Sequence, residues 1–199
     1  MSDSRFRYVG KAMPRTDAYD KVRGATKFAA DLNFANQLYA AVLRSPHPYA
    51  NILSIDTSKA KQLKGVKVVI TGEDVKDHPG IGHYAYEMPI LAYKRVLYEG
   101  EPVAAVAAED LETAYEALKL IKVEYEVLKP VLTVEESLEG KTIFHDWDSV
   151  KRHPEMHYEQ GTNICHQHHL EGGDVEKGFG EADMVIEGVY ETSNIQHVC

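Results

Sequence analysis

Ten histidines in 199 residues are the first side chains here with chemistry to offer. His166 and His168 lie two apart in ICHQHHL, a spacing that puts both imidazoles on one face of a strand. With His169, Glu171 or Asp174 they have the donor types of a zinc site. No Cys or His pair of standard structural spacing accompanies them, so a polar strand face with incidental histidines is the plainer reading. His145, His153 and His157 fall in a polar stretch without period and make a weaker metal set. Cys165 could act as a nucleophile only with a base and an oxyanion hole beside it; as a small hydrophobe on a strand it needs neither. Cys199 is the last residue, where an exposed or frayed thiol is expected. Glu99 and Glu101 flank Gly100. Paired carboxylates do acid–base work, but two exposed charges at a hairpin turn are commoner. GDVEKGFGEAD contains glycines and a helix start, yet no Gly-x-Gly-x-x-Gly after a strand and no P-loop lysine, so phosphate binding is unsupported. Tyr84, Tyr86, Tyr93 and Tyr98 suggest an interface patch or ordinary loop packing. No catalytic, cofactor-binding or metal-binding residue is assigned from this inventory.

The elements that would position such groups are clearer. Residues 95–108, RVLYEGEPVAAVAA, read as an extended run, a tight Glu-Gly-Glu-Pro turn and an apolar strand covered on both faces. Asp110 then caps a helix bearing Leu111, Ala114, Tyr115 and Leu118. Ile121, Val123, Tyr125 and Val127 alternate with charged residues in a half-exposed strand. Upstream, Leu38–Ser45, Ala50–Asp56 and Val66–Thr71 read as strands. Thr57 or Ser58 caps a short helix that ends at Gly65. Residues 72–93 form a long loop of the kind that marks a functional or interface segment. Thr133 to Glu136 has capping-box spacing. Residues 145–163 are polar and read as a boundary or linker. Ile164–Leu170 and Met184–Thr192 read as two further strands, with an Asp174-capped helix between them.

The totals set outer bounds. A chain of 199 residues holds one ordinary domain or one plus a smaller piece. A net charge of −9 argues against a nucleic-acid surface or an anionic membrane. No stretch approaches the ~18 apolar residues of a membrane span, and MSDSRFRYVG lacks a signal-peptide core. Two cysteines make a poor disulfide framework, which points to a cytoplasmic, reducing compartment.

Several segments, in order, resemble one family: the molybdenum-binding large subunits of xanthine dehydrogenases, aldehyde oxidoreductases and carbon monoxide dehydrogenases. RTDAYDKVRGATKFAADL is similar to their N-terminal signature, and LYAAVLRSPHPYANILSIDTSKA to the next strand, its Arg-Ser-Pro-His turn and the Ile-x-x-Ile-Asp strand. LKGVKVVITGEDV, VLYEGEPVAAVAAED, LIKVEYEVLKPVLTVEESL and GDVEKGFGEADMVIEGVY resemble the blocks that follow. Glu101 stands where the family usually has Gln.

The resemblance implies an α+β fold: an α/β hammerhead domain with a mixed sheet and short helices, followed by the start of a molybdopterin-binding domain. It implies an N-terminal arm over residues 1–19, the hammerhead over 20–135, and over 136–199 a linker with the truncated opening of the cofactor domain. The intact enzyme would be an oxidoreductase hydroxylating purines, heterocycles or aldehydes, or oxidising carbon monoxide. Oxygen would come from water at a molybdenum–molybdopterin centre. Electrons would pass to 2Fe-2S clusters and FAD on partner subunits or domains. The family's cofactor loops lie later in a longer subunit, so this chain is expected to be a fragment with scaffolding work, binding no cofactor alone and showing no turnover. Its partners would be the rest of the molybdenum subunit, an iron–sulfur subunit and an FAD subunit. The rival reading is a free-standing, non-catalytic interaction module of the same fold.

Overall fold

The computed structural model describes residues 6–82, 85–151, 153–193 and 195. The chain divides into two compact units, Met1–Val131 and Leu132–Cys199. Two sequence candidates, Tyr84 and Cys199, lie outside the described residues.

In the first unit a short helix α1 (Ala18–Val22) precedes strands β1 (Tyr39–Arg44) and β2 (Ala50–Asp56), helix α2 (Ser58–Gln62) and strand β3 (Val66–Thr71). Strands β4 (Arg95–Val96) and β5 (Pro102–Ala108), helix α3 (Leu111–Leu120) and strand β6 (Lys122–Val127) complete it. The expected mixed sheet divides into two three-stranded sheets, β1-β5-β3 and β4-β2-β6, and every pairing in them is antiparallel.

The apolar run of β5 becomes the central strand of its sheet. Ala104, Val106 and Ala108 face α3, where Ala114, Ala117 and Leu118 are buried against them. Small side chains on both elements let the helix lie close to the sheet, and Ala60 of α2 and Val69 of β3 close the same core. Val103 points the other way, into a second cluster with Ala50, Ala92 and Val96. The strand is thus covered from two sides, as its unbroken apolarity predicts. Asp110 caps α3 as expected, accepting the amide hydrogen of Thr113 at 2.7 Å. The helix buries a narrower face than its spacing predicts, for Leu111 and Tyr115 remain exposed.

In β2, Ile52 and Ile55 both pack against the second cluster, although an odd separation should place them on opposite faces of a regular strand. The pairing with β6 slips between Ile52 and Ser54. That bulge pushes Leu53 outward to 63% exposure and returns Ile55 to the core. At α2 the cap differs from expectation. Thr57 occupies the N-cap position without a side-chain bond, and Asp56 instead accepts the Ser58 amide hydrogen at 2.9 Å, because its carboxylate reaches the amide two residues on.

The second unit has little regular structure. Helix α4 (Val134–Leu138) is capped by Thr133, which accepts from the Glu136 amide. Helix α5 (Val175–Glu181) is capped by Asp174, which accepts from the Lys177 amide. The polar stretch expected as a linker holds an ordered knot. Trp147 is 4% exposed and its indole Nε1 donates to the Thr162 carbonyl at 3.1 Å. The Asn163 side chain donates to the carbonyls of Ser137 and Thr142 and accepts from the Phe144 amide. Residues 164–170 and 184–192 form no strand. Their composition suits a strand, but a strand is made by a paired neighbour, and none of the described strands pairs with either segment.

Candidate functional site

Two turns that are distant in sequence interlock in the first unit: the Arg-Ser-Pro-His turn leaving β1 and the Tyr-Glu-Gly-Glu turn entering β5. The Ser45 amide donates to the Glu101 carbonyl at 2.9 Å, and the Gly100 amide donates to the Ser45 carbonyl at 2.8 Å. Arg44 adds Nη1 to the Gly100 carbonyl at 2.8 Å. Gly100 has φ of 88°, a left-handed conformation that glycine adopts without steric cost. Buried Ser45 donates its hydroxyl to the His47 carbonyl and accepts the His47 amide hydrogen, each at 3.0 Å. The His47 ring meets Tyr125 of β6 edge-on with centroids 5.0 Å apart. Burial raises the Tyr125 hydroxyl above its ordinary titration range, against the pull of its hydrogen bond with Ser45.

This arrangement corrects the hairpin expectation. β4 does not fold back on β5; it pairs with β2 through Ala50–Val96 and Asn51–Arg95. The turn crosses from one sheet to the other. Glu101 therefore is not an exposed turn charge but is 3% exposed, because the turn folds inward over it. Its carboxylate accepts the Leu97 amide hydrogen at 2.5 Å. Burial raises the carboxyl above its ordinary range, opposed by bonds from the backbone at Leu97 and Tyr98. Glu99 stays exposed, so the two carboxylates are not a working acid–base pair. The only sign in the sequence was Glu101 at a position where the family usually has Gln.

In the second unit the imidazoles of His157, His166 and His168 form a row, with ring centroids 5.9 Å and 6.2 Å apart. The row does not rest on a strand face. It follows a loop in which the His157 amide donates to His166 Nδ1 at 3.1 Å and the Gln167 amide to the His157 carbonyl at 2.8 Å. Face-to-face stacking turns the ring edges outward rather than toward one point. Asp174 is engaged as a helix cap, and His169 and Glu171 meet only each other, at 3.4 Å, in an exposed contact. Among the described residues no group of three or more His, Cys, Asp or Glu side chains could hold a metal ion. Cys165, expected to pack on a strand, is exposed, since the strand that would cover it is absent. Of the tyrosines expected as a patch, Tyr86 and Tyr98 are exposed and Tyr93 is half-buried.

Comparison with known proteins gives this scaffold its relatives. The family described as "Aldehyde oxidase and xanthine dehydrogenase, a/b hammerhead domain" matches residues 23–129. The chain is 35% identical over 193 residues to the nicotinate dehydrogenase large molybdopterin subunit of Eubacterium barkeri, covering 97% of this chain and 42% of that protein. It is 38% identical over 186 residues to a probable xanthine dehydrogenase of Bacillus subtilis, covering 92% of this chain and 23% of that protein. Among solved structures, the aldehyde oxidoreductase of Desulfovibrio gigas superposes with a TM-score of 0.66 at 29% identity, over 86% of this chain and 19% of that one. The chain thus spans less than half the length of these two curated relatives. The two interlocked turns, Arg44–His47 and Tyr98–Glu101, both fall within the matched residues. With its helix-backed sheets and a family match across more than half its length, the chain belongs to the aldehyde oxidase and xanthine dehydrogenase family, and residues 23–129 are its α/β hammerhead domain.

Proposed function

We propose that this chain is the hammerhead region of a molybdenum hydroxylase large subunit, and that its own work is structural. The observation that carries the reading is the family match over residues 23–129, which coincides with the packed part of the molecule. On this reading the intact enzyme oxidises a purine, another nitrogen heterocycle or an aldehyde, and molybdopterin, when bound, supplies the centre at which water-derived oxygen is transferred. Electrons leave through 2Fe-2S and FAD groups on partner subunits or domains, in the cytoplasm. The arm and the hammerhead take about residues 1–19 and 20–135, and residues 136–199 open the cofactor-binding domain.

The described side chains do not make a seat for the metal. The buried carboxylate is turned onto its own backbone, the histidine row is stacked rather than convergent, and no ligating cluster exists among the described residues. No chemical step is therefore assigned to this chain. Its part is to hold two sheets in fixed relation through the Arg44–His47 and Tyr98–Glu101 junction, with no catalytic, cofactor or metal residue of its own.

The native enzyme tests this. Purified from its source, it should contain molybdenum and iron and should incorporate oxygen-18 from labelled water into a hydroxylated heterocycle or a carboxylic acid. Label arriving instead from dioxygen, or an active enzyme without molybdenum, would overturn the assignment. The 199-residue chain alone should give no turnover with the same substrates and a dye acceptor; turnover there would overturn the structural role.

A further inference from the structure

The junction contains a group that a purely apolar scaffold would not require. Glu101 lies on the segment joining β4 of one sheet to β5 of the other, and among the described residues it is one of three buried polar side chains, with Ser45 and Thr57. A carboxylate offers about four acceptor sites. The bond made to this one comes from the Leu97 amide. Buried carboxylates are ordinarily paired with a cation. Among the described residues Glu101 has no ion pair, and Arg44, on the strand beside it, directs its guanidinium to the Gly100 carbonyl instead.

We propose that the Leu97–Glu101 turn is a proton-linked latch between the two sheets: Glu101 takes up a proton from water as the turn closes over the Leu97 amide and returns it as the turn opens. The latch rests on the turn's geometry and does not depend on the proposed enzyme role. The titratable groups around it are Arg44 of β1, His47 beyond Ser45, Tyr98 and Glu99 of the turn itself, and Tyr125 of β6. Arg44 is the fixed cation of this set, and it is solvent-exposed. The upward displacement of the Glu101 carboxyl, caused first by burial, supports the direction. Closing binds a proton, so the closed turn is favoured in acid and opens more readily as pH rises. Glu101 is a positioning residue in this scheme, acting through the course of the turn.

Amide hydrogen exchange of Leu97 in the full chain, corrected for the intrinsic rate, reads the latch directly. Protection should be greatest near pH 4 and fall several-fold toward about pH 8, across the range where a carboxyl with a raised titration point ionises. In Glu101→Gln, which keeps an acceptor but cannot ionise, protection should be flat. Equal pH dependence in both proteins would overturn the proposal. A carbon-13 titration of the Glu101 carboxyl in the unsubstituted chain needs no variant. A midpoint above the ordinary value of 4.5 supports the latch, and one at or below it overturns it.

Discussion

In the first unit, apolar side chains from β1, β3, β5, α2 and α3 meet in one cluster, and those of β2, β4 and β5 in another. In the second, Trp147 is the one buried residue among those described, while Val189 and Tyr190 are 95% and 92% exposed. Both regions carry strand-like sequence. VKVVIT and MVIEGVYET are both rich in β-branched residues, yet only the first is a strand. The difference is pairing. β3 has β5 alongside it, whereas residues 184–192 have no partner among the described strands. The second unit is held instead by side chains that bind backbone, through Trp147 and Asn163. Burial of area thus dominates one region and directed hydrogen bonds the other, so they should fail differently.

The largest effect is expected from Leu118→Ala, which opens a void where α3 meets β5. Removing a buried leucine side chain costs about 3 kcal/mol, and denaturant unfolding followed by circular dichroism should show it. A loss below about 1 kcal/mol would mean that the helix–sheet core is looser than its alanine packing implies. Asn163→Ala should cost about 2 kcal/mol by leaving half-buried backbone groups of Ser137, Thr142 and Phe144 without their partner. Amide exchange at Phe144 should accelerate, while amides of β5 stay unchanged. Faster exchange in β5 would break the contrast between the regions. Trp147→Phe keeps most of the ring but removes the donor to Thr162, a loss of about 1 kcal/mol; unchanged exchange around residue 162 would show that ring burial alone holds that loop.

The smallest effect is the most diagnostic of the sheet junction. Because the folded-state carboxyl of Glu101 titrates above its ordinary value of 4.5, its favourable contribution is complete below that value and is lost as pH rises through the raised one. Glu101→Gln should therefore gain stability relative to the unsubstituted chain between about pH 4 and 7. Thermal melts at the two ends give the comparison, and a gap that is constant or that shrinks with pH would contradict it.

Much of the fold was legible in the residues. The three upstream strands, the Asp110 cap and the β5 core strand are local events. A carboxylate three residues before an amide, or β-branched residues in a row, suffice to specify them. Motifs in a fixed order carried the relationship, because 23–129 is where they are densest. The alternation in β2 was harder to read, since Ile52 and Ile55 share a face only through the bulge between Ile52 and Ser54. Chemistry was less legible still. His166 and His168 have the spacing of ligands on a strand, but without the strand their rings stack. Cys165 is exposed for the same reason.

The sequence by itself determined which short segments turn, cap or extend, because those choices are decided within a few residues by backbone sterics and nearby hydrogen bonds. Tertiary structure alone decided that β4 joins β2 rather than β5, that Glu101 faces inward, and that residues 184–192 remain unpaired among the described strands. Each of those outcomes depends on what a distant stretch of chain brings alongside, and a carboxylate or an alternating run has no environment until that neighbour arrives.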